Sequence, residues 1–186
     1  MRALPRDPVA PNDAVWLQDT ETNRMVIHGL YVTDHIELEA ARDVWRRRVL
    51  DVEGGARYPR FRLRLVQARG RWFWETDPLF DVTRHLVTSP LAGRVTAADL
   101  QAYIATVAHQ PLADDRPRWR IEYIEDYEDG QSAFLVRMHH ALADGISMVP
   151  VILSLMDELS AAPAPPANPT RPLASRLTSA VLAPLA

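Results

Sequence analysis

The chain has 186 residues, a formal net charge of −3 and no cysteine, a length that suits one compact domain with its own core. The missing cysteines exclude disulfides, thiolate metal sites and thiol nucleophiles, and the near-neutral charge speaks against a nucleic-acid binder. All 21 basic residues are arginine, which excludes a Schiff-base lysine and a phosphate-loop lysine.

Residues Met1 to Ala10 are polar and proline-broken, with no signal-peptide core. No apolar run approaches the ~20 residues of a bilayer span. The cytoplasm is therefore the default expectation, with peripheral contact at the inner face of the plasma membrane left open. Asn12-Asp13 is expected to cap a short segment whose Ala14, Val15, Trp16 and Leu17 bury one side. Met25 to Thr33 has apolar residues on both faces, the pattern of an interior strand. Glu37 to Val52 predicts an amphipathic helix through Leu38, Ala41, Trp45, Val49 and Val52, stopped by Gly54-Gly55. Its Arg46-Arg47-Arg48 is expected to be a solvated face.

Two strands, Phe61 to Val66 and Arg71 to Glu75, meet at an Arg69-Gly70 turn, and Phe80 to Val87 reads as extended but irregular. Thr96 is placed to cap a helix over Ala97 to His109 with Leu100, Ile104 and Val107 inward. After a loop from Gln110 to Arg118, strands Trp119 to Glu125 and Ala133 to His140 form a hairpin through Asp129-Gly130. A last helix is expected from Asp144 to Leu159. The prolines between Pro163 and Pro172 suit a linker, so the chain divides into a domain over 1–160 and a linker and tail over 161–186.

The residues that promise chemistry are Met138-His139-His140-Ala141-Leu142-Ala143-Asp144-Gly145, where a predicted strand gives way to a helix. Strand parity puts His140 on the face of Phe134, Val136 and Met138, and His139 with Leu135 and Arg137. The two histidines cannot share one job. A histidine leaving a strand at a loop suits a general base, because its ordinary pKa of ~6.5 lets it take and return a proton near neutrality. A metal site of His139, His140 and Asp144 is disfavoured by that same parity, and no serine-nucleophile elbow occurs. Trp16, Trp45, Trp72, Trp74 and Trp119 read as packing residues, and His28, His35, His85 and His109 show no partner pattern.

The spacing His139-His140-x-x-x-Asp144-Gly145 resembles the signature of the coenzyme-A-dependent acyltransferase superfamily that includes nonribosomal condensation domains. Four further stretches, in the same order, resemble the bacterial wax ester synthase/diacylglycerol acyltransferase branch. They are Pro11 to Leu17, Pro59 to Leu65, Trp74 to Asp81, and Pro111-Leu112 with Arg116-Pro117-Arg118-Trp119. The likeness runs from about Pro11 to Leu159. It departs from the usual Pro-Leu-Trp by placing Arg118 where leucine is expected.

The resemblance implies an α/β fold similar to chloramphenicol acetyltransferase: a mixed sheet with helices mainly on one face, as one half of a two-domain enzyme. It implies transfer of a long-chain acyl group from acyl-CoA, as co-substrate, to diacylglycerol or a fatty alcohol, giving triacylglycerol or wax ester. No cofactor or metal is expected. By the same resemblance His140 is the general base, His139 its supporting neighbour, Asp144 a structural residue that fixes the loop, and Gly145 a point of close backbone approach. Arg62 is the candidate partner of Asp144, with Arg60 and Arg64 as rivals. Family members carry a second, similar domain with an Asn-Asp motif and work in a tunnel between the two. The expected partners are thus a C-terminal domain or companion chain and a membrane or lipid-droplet surface. An apolar wall around His140, from Phe134, Val136 and Met138, is expected to face the missing half. The competing expectation is a non-catalytic half-domain that binds acyl groups or a partner chain.

Overall fold

A computed structural model describes residues 5–51, 57–143 and 145–156. The expectations for Gly54-Gly55, Asp144, the linker over Pro163 to Pro172 and the tail lie outside the described residues.

Among the described residues there are two sheets and four α-helices. The smaller sheet has the order β1-β4-β3, from Arg6–Pro8, Arg71–Thr76 and Leu63–Ala68. The larger has the order β2-β7-β6-β5, from Val26–Thr33, Gln131–His139, Trp119–Tyr127 and Leu86–Thr88. It is mixed: β2, β7 and β6 run antiparallel, while β5 lies parallel to β6. The helices are α1 (Pro11–Ala14), α2 (Leu38–Trp45), α3 (Ala97–Val107) and α4 (Gly145–Leu155).

The local signals account for much of this. Arg69 and Gly70 both take positive φ, 50° and 73°, the backbone that a two-residue hairpin turn needs to match strand twist. Thr96 and Asp99 form a reciprocal capping box at the start of α3, which satisfies two otherwise orphaned donors. Leu100 and Val107 then turn inward against Ala133 and Leu135.

Alternation on β7 divides the core. Met138, Phe134 and Val136 face one cluster, with Ile121, Trp119, Trp45, Val49, Met148 and Val151. Ala133 and Leu135 face the cluster under α3. Two of the longer helices, α2 and α4, thus cover one face of the sheet and α3 the other. Trp119 anchors the larger cluster: its ring meets those of Trp45 at 5.3 Å and Phe61 at 5.6 Å, and its Nε1–H donates to the Phe61 carbonyl at 2.9 Å.

Several expectations give way. Among the described residues β2 pairs only with β7, so it is an edge strand and leaves Leu30 and Val32 exposed. Asn12 does not cap; Pro11 opens α1 behind Ala10, where a missing N–H costs nothing. Phe61 belongs to a 3-10 turn, Pro59–Arg62, and not to β3. After Trp45 the α2 helix widens into a π-helical turn over Arg46–Leu50, closed by Asp51 N–H to the Arg46 carbonyl at 2.7 Å. That one-residue widening brings Leu50 into the core beside Val49. The wall predicted from Phe134, Val136 and Met138 is no exposed surface, because α2 and α4 pack over it. Among the described residues the exposed large apolar side chains are Val15, Leu30, Val32, Leu79, Val149, Leu153 and Met156.

No helix among the described residues is long and apolar enough to cross a membrane.

Candidate active site

Strand β7 ends at His139 and the chain turns through His140, Ala141 and Leu142 toward α4, which opens at Gly145. The turn is pinned by its backbone. His140 N–H donates to the Met25 carbonyl at 2.7 Å, His139 N–H to the Arg118 carbonyl at 2.9 Å, and Leu142 N–H to the His139 carbonyl at 2.9 Å.

The two histidines meet different surroundings. His139 is 1% exposed; its Nε2 lies 3.1 Å from Asp19 Oδ2, and its Nδ1 accepts the Ala141 N–H at 3.1 Å. Burial holds its pKa below the ordinary histidine value, against the raising influence of the Asp19 carboxylate, and the nearby Arg118 charge adds to the lowering. His140 is half-buried, and its ring lies flat against Trp16, with centroids 3.7 Å apart and planes at 20°. Its Nδ1 is buried and has no hydrogen-bond partner among the described residues. One imidazole is tied at both nitrogens. The other keeps an unengaged nitrogen and one stacked face.

Arginines frame the turn. Arg60 pairs with Asp13 at 2.6 Å, lies 5.5 Å over the Trp74 ring, and brings Nη1 to 3.5 and 3.4 Å from the carbonyl oxygens of Ala141 and Leu142. Among the described residues it is the one of the three candidate arginines that reaches the motif's turn. Arg62 pairs with Asp51 at 2.9 Å and lies over the Phe80 ring; whether it also meets Asp144 falls outside the described residues. Arg64 joins Arg6 on the buried Glu75, whose pKa these two arginines lower, Arg64 foremost. Arg118 stands where leucine was expected. Its guanidinium lies 5.8 Å over the Trp72 ring, and burial lowers its pKa.

Asp19, Trp16 and Arg60 are the residues that sequence reasoning missed, read only as packing, or ranked second. Asp19 is 120 positions from His139, and a loop carboxylate carries no local mark of so distant a partner. Of the tryptophans, Trp45, Trp74 and Trp119 are buried packing residues; Trp16 packs too, but on the His140 ring. His85, given no partner, is buried with Nδ1 2.8 Å from the Trp119 carbonyl and its ring 4.3 Å from that of Trp119.

A cleft of about 420 Å³ opens beside α3 among Tyr103, Arg116, Arg120, Glu122 and Arg137; neither His139 nor His140 lines it.

The mixed sheet that ends in a His-His turn and passes into a helix has the fold of condensation-type acyltransferase domains, as comparison with solved structures shows. The backbone superposes on the wax ester synthase/diacylglycerol acyltransferase of Marinobacter aquaeolei VT8 with a TM-score of 0.63 at 22% identity, covering 78% of this chain and 36% of that one. It also matches the starter condensation domain of rhizomide synthetase, with a TM-score of 0.58 at 17% identity, covering 84% and 38% of the respective chains. In sequence, residues 9–183 match the wax ester synthase/diacylglycerol acyltransferase catalytic domain, and the chain belongs to that family. A Mycobacterium tuberculosis (strain ATCC 25618 / H37Rv) protein described as a "putative diacyglycerol O-acyltransferase" is 35% identical over 86 residues, 46% of this chain and 17% of that protein. The chain thus spans well under half the length of the relatives it matches.

Proposed function

We propose that the chain supplies the histidine-bearing part of an O-acyltransferase that moves a long-chain acyl group from acyl-CoA to the hydroxyl of diacylglycerol or a fatty alcohol. The observation that carries this reading is His140: a half-buried imidazole at a strand end, pinned through its backbone and stacked on Trp16, with a buried Nδ1 that has no partner among the described residues. His140 takes the proton of the acceptor hydroxyl while that oxygen attacks the thioester carbonyl. The tetrahedral intermediate then collapses, the carbon–sulfur bond breaks, and the coenzyme A thiolate receives the proton back from His140. The products are the ester and free coenzyme A. General base assistance of this kind is typically worth ~10²–10⁴-fold in rate.

The likeness to relatives more than twice as long supports a second domain, in this chain's longer form or in a companion, that completes the site. Oxyanion donors on that side would supply much of the transition-state stabilisation. The test is ester formation from palmitoyl-CoA and either a diacylglycerol or hexadecanol, with and without the C-terminal domain of a family member. Acceptor-dependent ester, stimulated by the added domain, is expected. Thioester hydrolysis alone, or no ester in either mixture, contradicts the reading.

A further inference from the structure

We infer that Asp19 is a positioning residue, which holds His139 in a single tautomer and through that ring fixes the turn on which His140 stands. The inference rests on two chains of hydrogen bonds that start at one carboxylate and end on either side of His140. In the first, Asp19 Oδ1 accepts the Met25 N–H at 2.9 Å, and the carbonyl of the same Met25 accepts the His140 N–H at 2.7 Å. In the second, Asp19 Oδ2 lies 3.1 Å from His139 Nε2, and His139 Nδ1 lies 3.1 Å from the Ala141 amide nitrogen. His140 sits between the two residues that the second chain holds.

The donor count fixes the proton. A backbone N–H can only donate, so the Nδ1 facing Ala141 is the bare nitrogen. Nε2 then carries the hydrogen, and it points at a carboxylate, which only accepts. The opposite tautomer sets two donors against each other at Ala141 and two acceptors against each other at Asp19. An imidazolium removes the second conflict and keeps the first. Neutral Nε2–H imidazole is the one form that satisfies every group in the ring's plane, and the ring is almost wholly removed from solvent. The charged and titratable groups around it are Asp19, Arg118 and His140, and their net effect with burial favours the neutral form.

The same count says why Asp is needed. The position must accept from Met25 N–H at one atom and from His139 Nε2–H at another. Asn offers one acceptor and one donor, so Asp19→Asn loses a bond whichever way its amide turns. One orientation orphans the N–H of Met25, the residue whose carbonyl holds His140. The other forces His139 into the tautomer that breaks the bond to Ala141.

The inference is tested on the 15N-labelled chain by long-range 1H–15N correlation of the histidine rings at neutral pH, with His139→Gln and His140→Ala to assign the signals. The wild-type chain is expected to show His139 with Nδ1 bare and Nε2 protonated, and His140 ring protons displaced by the stacked Trp16. In Asp19→Asn the His139 signals should shift to a mixture or to the Nδ1–H form, and the His140 ring protons should lose at least half of their Trp16 displacement. An unchanged spectrum in Asp19→Asn overturns the inference. So does a changed His139 tautomer with His140 unmoved, which would make the pair a local structural contact. If the variant does not fold, the wild-type chain still decides, since an Nδ1–H His139 there contradicts the inference. Use of His140 as the base is judged separately, by transfer activity: an active His140→Ala overturns that reading and leaves the tautomer result standing.

Discussion

Trp16 lies flat on His140, ring centroids 3.7 Å apart, so that a residue from the first turns of the chain covers one face of the imidazole at the end of β7. Trp16 does not stand alone. It packs with Leu17, Leu63, Leu65, Trp72, Trp74 and Ala141, a small apolar cluster that joins the three-stranded sheet to the motif's turn. The stack closes one face of the imidazole, and the flat contact restricts rotation of the ring.

The stack is open to NMR. An indole face shields the protons stacked on it, so the His140 ring protons of the wild-type chain should resonate well upfield of those of an unstacked histidine. That displacement should vanish in Trp16→Leu, while the His85 ring protons, stacked on Trp119, should stay where they are. If the His140 displacement survives in Trp16→Leu, the stack is not formed in solution.

Arg60 should matter more to stability than Arg62. Arg60 reaches Asp13, Trp74 and the carbonyls of the motif's turn, whereas the carboxylate that Arg62 meets among the described residues, Asp51, is 57% exposed. Arg60→Met is expected to cost about 1–3 kcal/mol, with a coupling to Asp13→Asn of about 0.5–3 kcal/mol in a double-mutant cycle. Loss of the Arg62–Asp51 pair should cost about 0–1 kcal/mol. Urea unfolding measures all four variants, and a larger cost for Arg62→Met than for Arg60→Met would reverse the ranking.

The fold should weaken in mild acid. His139, His85 and His28 all have pKa values lowered from the ordinary 6.5, in each case chiefly by burial. Each therefore binds a proton more tightly in the unfolded chain. Their contribution is fully present above pH 6.5 and is lost as pH falls from there through the lowered folded values. Thermal melts should be flat between about pH 8 and pH 7 and should move to lower temperature below about pH 6.5. Melting temperatures that rise from pH 7 to pH 5 would contradict the assignment of these rings as buried and neutral.

What the sequence made legible was local chemistry. The Arg69-Gly70 turn, the Thr96 cap and the alternation along β7 are each decided by neighbours within a few residues, and all three stand. The His-His motif was legible for the same reason, as a compact pattern at a strand end. Legibility failed where a distant element decides. Apolar residues on both faces of β2 said nothing of how many neighbours it pairs with, and it became an edge. Phe134, Val136 and Met138 were rightly placed on one face, but that face is roofed by α2 and α4. The π-helical turn after Trp45 shifts the buried face by one residue against the helical period. Asp19 and Arg60 act on a turn that lies 120 and 81 positions further along the chain, and no short window holds both ends of either contact.

The most direct test of the proposed chemistry is the rate of ester formation by His140→Ala beside the wild-type protein, with palmitoyl-CoA and a lipid alcohol, each supplemented with the C-terminal domain of a family member. His140 lies beyond the last residue of β7, so its removal should leave the sheet and the melting temperature close to wild type. A fall of ~10²–10⁴-fold in transfer is expected from loss of the general base. A folded His140→Ala protein that makes ester at close to the wild-type rate would show that this histidine does not carry the proton.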